Sequence, residues 1–98
     1  MIGDWYHYTG IGYFFSIGIF ESGRGNVWEK NEANNGRDSH MRAWLVKENN
    51  LIFSRLKEYT FHIDKYPTLA DSLIINGFDT ISAGRYYMIL DGKYFRKN

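Results

Sequence analysis

The chain has 98 residues, a formal net charge of +1 and a pI near 8.0, with one proline and no cysteine. A chain of this length is expected to form one domain, 1–98, burying roughly 60–65% of its unfolded surface; without cysteine it has no disulfide, zinc thiolate or thiol nucleophile. The balanced charge argues against a nucleic-acid or anionic-membrane partner, and no apolar run approaches the ~20 residues of a membrane-spanning helix.

Strand and turn signals then recur at short intervals. Residues 3–8 (GDWYHY) read as a first strand, stopped by Thr9-Gly10. Next, Ile11, Tyr13, Phe15, Ile17 and Ile19 share one parity, and Gly12, Ser16 and Gly18 the other, with Phe14 and Phe20 as exceptions. Period-2 alternation predicts a strand over 11–20 with one buried face. Glycines on its other face permit the sharp bend that a small barrel needs. Ser22-Gly23-Arg24-Gly25 reads as a turn, and 26–32 as a third strand with Val27 and Trp28 at its half-buried middle. Asn34-Asn35-Gly36-Arg37-Asp38 is the most polar loop.

Residues 40–47 predict a fourth strand, with Trp44 and Val46 on one face and Met41, Ala43 and Leu45 on the other. Glu48-Asn49-Asn50 reads as a tight turn before a fifth strand at 51–56. In a sixth, 57–64, Tyr59, Phe61 and Ile63 alternate with Thr60, His62 and Asp64. Pro67 breaks the pattern over 65–70, where a helical turn fits, ahead of a seventh strand near 72–76. Residues 85–90 and 93–97 pair across Asp91-Gly92, a type I′ hairpin signal. The expected fold is all-β: a small up-and-down antiparallel β-barrel of about eight short strands, whose closure removes exposed edges. Tyr13, Phe15, Ile17 and Ile19 should face the same interior as Tyr59, Phe61 and Ile63.

The order of these motifs carries a resemblance. Gly3-Asp4-Trp5-Tyr6 resembles the Gly-x-Trp opening of lipocalin-like barrels. Phe20-Glu21-Ser22-Gly23-Arg24-Gly25, Trp44-Leu45-Val46, Tyr59-Thr60-Phe61-His62-Ile63, and Tyr86-Tyr87-Met88 through Tyr94-Phe95-Arg96-Lys97 follow in turn. Taken together, nearly the whole chain resembles the small bacterial lipocalin-like domains of secreted proteins and lipoproteins. The resemblance implies an antiparallel barrel, a capacity to bind a small apolar molecule, and no catalysis. It also implies that Trp5 packs at the closed end of the barrel under Arg96 from the last strand. The chain is shorter than the larger lipocalins and lacks the lipidated cysteine of the lipoprotein members.

The residues that carry chemistry select no reaction. His7, His40 and His62 lack metal-site spacing, and His62 and Asp64 share what reads as a solvated strand face. No Gly-x-Ser-x-Gly occurs, and Ser22-Gly23-Arg24-Gly25 lacks the spacing of a phosphate-binding loop. Nothing selects a working pair among Asp4, Glu29, Glu32, Asp64 and Asp71. No catalytic centre, metal or cofactor is expected. The basic residues Lys93, Arg96 and Lys97 read as part of a solvated last strand.

The aromatics carry more information. Tyr13, Phe15, Trp44, Phe61 and Tyr87 lie on strands and either line a small ligand cavity or fill the core. Tyr6, Tyr8, Trp28, Tyr86 and Tyr94 include candidates for exposed rings, frequent anchors at protein interfaces. Two function classes follow. One is a non-catalytic lipocalin-like binding domain for a small apolar or aromatic ligand. The other is an intracellular protein–protein interaction module, such as a mobile-element-encoded inhibitor that blocks a partner through an aromatic surface. Met1-Ile2-Gly3-Asp4-Trp5 has no signal-peptide character. The expected location is extracytoplasmic for a processed domain and cytoplasmic if Met1 is the native start. The ligand, the partner and the oligomeric state stay open.

Overall fold

Alternating apolar residues in short runs make strands, and strands are what the computed structural model contains. It describes residues 1–32, 41–54 and 58–97. In chain order the strands are β1 (Gly3–Gly10), β2 (Tyr13–Ile19), β3 (Arg24–Lys30), β4 (Arg42–Lys47), β5 (Asn50–Ser54), β6 (Tyr59–Leu69), β7 (Ile74–Asn76), β8 (Asp79–Ile81), β9 (Tyr86–Leu90) and β10 (Lys93–Lys97). Eight of them close into an antiparallel barrel in the order β1-β10-β9-β6-β5-β4-β3-β2, while β7 and β8 form a separate hairpin between β6 and β9. The expected all-β barrel is therefore found.

Parity decides which residues enter the barrel. Trp5 stands opposite Ile17, and Ile17 opposite Val27, so three neighbouring strands point apolar side chains the same way. With Ile19, Leu51, Phe53, Ile63, Met88, Leu90 and Phe95 they make one buried cluster. Each such side chain contributes about 1.5–3 kcal/mol when fully withdrawn from water. Phe15, Trp44, Tyr59 and Phe61 pack against this cluster, as the alternation predicts. Edge-to-face contacts join Phe15 to Phe61 at 5.7 Å, Phe15 to Phe95 at 6.0 Å and Phe53 to Phe61 at 6.2 Å between centroids. Arg42 also points inward, its guanidinium 4.8 Å from the centre of the Tyr59 ring.

Turn chemistry fixes the hairpins. Asp91 and Gly92 both have positive φ, 50° and 74°, as a type I′ turn requires. Glu48 and Asn49, at 52° and 61°, take the same shape without a glycine. Asp91 also ties its turn to the neighbouring strand, accepting from the His62 amide at 2.9 Å, and Asp64 accepts from the Gly92 amide at 2.6 Å.

Three expectations need correction. The stretch 65–70 forms no helical turn, because β6 continues to Leu69. Its register against β9 slips between Ile63 and Lys65 and again between Lys65 and Thr68, so Pro67, which has no N–H to donate, falls in an irregular stretch of the ladder. The expected strand near 72–76 is only Ile74–Asn76, and its partner Asp79–Ile81 was not anticipated. The two pair across a turn at Gly77, and Ile74, Ile81, Ala70 and Tyr87 form a second apolar cluster outside the barrel. Finally, Ile11 is 93% exposed and not on the buried face. A register shift between Tyr8 and Gly10 and the start of β2 at Tyr13 leave Ile11 at the tip of the β1–β2 hairpin. The polar loop at 34–38, His40 and the join at 55–57 lie outside the described residues.

Candidate functional site

The five aromatics read from the sequence as candidates for lining an interior cavity do not share one. Phe15, Phe61 and Trp44 point inward and are half-buried against the core, with the Trp44 indole donating to the Phe20 carbonyl at 2.9 Å. Tyr13, also half-buried, stands beside Gly10 at the end of the β1–β2 hairpin. Tyr87 lies outside the barrel. Met88 and Leu90 take the interior positions of β9, so alternation turns Tyr87 toward the β7–β8 hairpin. There its ring stacks on Tyr94 at 5.7 Å and its hydroxyl accepts from Lys65 at 3.0 Å. The space left among Phe15, Phe61, Leu90, Asp91, Lys93 and Phe95 is about 20 Å³, which holds about one water molecule.

The surroundings of Trp5 differ from what the resemblance implies. Trp5 is 1% exposed, and its indole donates to the Met1 carbonyl at 2.9 Å. The cation over its ring is Lys97, 5.9 Å from the centroid, and not Arg96. Phe95 occupies the interior position of β10, so the next residue, Arg96, must face out and Lys97 must face in.

The outer surface of β1, β2, β3 and β10 carries a continuous row of rings. Tyr6 stacks on Tyr8 at 5.8 Å, Tyr6 meets the edge of Phe14 at 5.6 Å, and Phe14 meets Trp28 at 5.8 Å. Arg96 lies over Tyr8 at 5.0 Å. Burial pushes the Tyr6 phenol above its ordinary value, helped by the Asp4 carboxylate and by Tyr8. Tyr6, Tyr8 and Trp28 were among the sequence candidates for exposed rings. Phe14 and Arg96 were not, and the available signal was Phe14 breaking the parity of its strand.

Beyond Tyr8 the row opens into a cleft of about 270 Å³ between the two hairpin tips, lined by Tyr8, Gly10, Ile11, Gly12, Phe78, Asp79 and Arg96. Arg96 Nε donates to Asp79 Oδ2 at 2.6 Å, which fastens the β7–β8 hairpin to the barrel wall.

The histidines sit apart. His7 packs inside against Phe95, with Nδ1 2.9 Å from the Tyr94 carbonyl, a geometry that places the proton on Nδ1. His62 faces out, 3.6 Å from the Asp64 carboxylate, both side chains solvated. Among the described residues no three His, Asp or Glu side chains converge on a point that a metal would occupy, and no helix is long and apolar enough to cross a membrane. No protein-family model, curated protein or solved structure matches the chain.

Proposed function

We propose that this chain is a lipocalin-like barrel that works as a non-catalytic protein-binding module, through the outer face of β1, β2, β3 and β10 and not through its interior. The observation that carries this reading is the row Trp28–Phe14–Tyr6–Tyr8 on the outside of the barrel, beside an interior where the space among Phe15, Phe61, Leu90, Asp91, Lys93 and Phe95 is about 20 Å³. Tyr, Trp and Arg dominate interface hot spots, and Tyr and Trp bury much area with little loss of side-chain freedom. Here they project from paired strands, so little backbone ordering is left to oppose binding. Blocking a partner protein, as an inhibitor does, needs no more than such a face.

The test is site-specific photocrosslinking in cells. A crosslinking side chain at Trp28 should capture a protein partner. One at Thr60, on the outer face of β6 across the barrel, should not. With the captured protein purified, Tyr8→Ala should weaken its binding by roughly tenfold or more. The reading fails if neither position captures a partner while an apolar dye binds at 1:1 and is lost in Trp44→Ala. That result would return the function to the barrel interior.

A further inference from the structure

We infer that the cleft between the β1–β2 and β7–β8 hairpin tips receives one large apolar side chain of the partner protein, together with the uncharged peptide amides that flank it. The inference rests on the protein-binding reading above. Three features point to this occupant. The cleft, at about 270 Å³, lies just under the ~300 Å³ low end for small-ligand sites, which suits a single side chain. Its two lips are Ile11 and Phe78, 93% and 71% exposed, one on each hairpin. Two large apolar side chains held in water on opposite sides of a cleft gain from an apolar group placed between them.

The floor sets the polar part. The Arg96 and Asp79 side chains are 26% and 16% exposed and neutralise each other at 2.6 Å. A carboxylate approaching Arg96 meets Asp79 as well, and an ammonium approaching Asp79 meets Arg96. Peptide amides suit both. Of the two amides that flank an extended residue, the carbonyl of one accepts from a guanidinium N–H other than Nε, and the N–H of the other donates to the carboxylate. Arg96 is also held against the Tyr8 ring, so the donors are already oriented. Tyr8 belongs to both the cleft and the aromatic row, which makes the cleft the end of the proposed face and the place for an anchor residue.

The experiment is a titration of the isotopically labelled chain with N-acetyl-tryptophanamide, followed by amide NMR. Uncharged amide should shift Gly10, Gly12 and Asp79 and the Arg96 Nε–H, with millimolar affinity. N-acetyl-tryptophan, a carboxylate, and tryptamine, an ammonium, should each bind at least about threefold more weakly. Ile11→Ser and Phe78→Ser change side chains that are mostly in water, so their spectra should stay folded while binding drops by about fivefold or more. Tighter binding of the carboxylate, shifts located elsewhere, or no shift with any probe would overturn the inference. If the probe fails while crosslinking at Trp28 still captures a partner, the cleft loses its role and the aromatic face keeps its own. If the probe binds and crosslinking fails, the aromatic-face reading falls, and the cleft is left as a site for small amides, without its protein partner.

Discussion

The ring of Phe53 lies where a side chain on Gly25 would have to go. A Cβ at Gly25 would stand 2.8 Å from Cε1 of Phe53 and 2.5 Å from the Gly18 carbonyl oxygen. The glycine is therefore part of the core. Gly25→Ala should cost about 1–3 kcal/mol, the usual range for overpacking, measured by equilibrium denaturation. In Gly25→Ala/Phe53→Leu the loss should be smaller than the sum of the single changes, because the smaller side chain relieves the ring contact and leaves only that with the Gly18 carbonyl. A single-variant loss under about 0.5 kcal/mol would mean that the wall yields freely at this point.

Arg96 and Lys97 are adjacent basic residues with separate partners. A double-mutant cycle between Arg96 and Asp79 should give a coupling of about 1 kcal/mol, between the values for fully exposed and fully buried pairs. The same cycle between Arg96 and Trp5 should give none, and Lys97→Ala alone should cost about 0.5–1 kcal/mol through loss of the cation over the Trp5 ring. A coupling of Arg96 to Trp5 as large as that to Asp79 would reverse the assignment and restore the arrangement that the family resemblance implies.

The barrel was legible where its inward positions alternate with polar or small neighbours. Phe15, Ile17, Ile19, Phe61 and Ile63 each point as the alternation says, while the burial of Trp5 was implied by the resemblance and not by its neighbours. The β9–β10 segment declares less. In Tyr86-Tyr87-Met88-Ile89-Leu90 both parities are apolar, and only the second cluster beneath the β7–β8 hairpin explains the buried outer position of Tyr87. The aromatic row was illegible for a different reason. Tyr6 is opposite Ser16, Ser16 opposite Trp28, and Tyr8 opposite Phe14, so the row exists only once the strand registers are set. The cleft is further removed still, since it joins hairpin tips more than sixty residues apart in the chain, at Ile11 and Phe78.

The β4–β5 turn stores a removable cost. Glu48 sits at φ 52° with no contribution from glycine at either central position of the turn. A left-handed conformation costs an ordinary L-residue roughly 1–2 kcal/mol, less for Asn and nothing steric for Gly. Glu48→Asn, which makes the turn Asn-Asn, should raise stability by about 0.5–1 kcal/mol, and Glu48→Gly should stabilise less because the unfolded chain gains freedom. Chemical denaturation reads both. A loss of stability in Glu48→Asn would show that the Glu48 side chain supports the hairpin in a way that outweighs its backbone strain.

Tyr6 gives the fold an alkaline limit. Its phenol titrates above the ordinary value of 10.0, first because burial in the aromatic row disfavours the phenolate, then because the Asp4 carboxylate and Tyr8 lie close. The folded chain therefore keeps this proton to higher pH than the unfolded chain does. The stability linked to it is complete below the unfolded value near 10. It is lost as pH rises from there through the folded value. Lys65 adds a decline of the same sign, since its hydrogen bond to the Tyr87 hydroxyl raises its own value. Ultraviolet absorbance of the eight tyrosines should show a late-titrating component that Tyr6→Phe removes. Denaturation midpoints from pH 9 to 11 should then fall less steeply in Tyr6→Phe, while Lys65→Met should flatten the decline without touching the late absorbance. A late component that survives Tyr6→Phe would place the late-titrating phenol elsewhere.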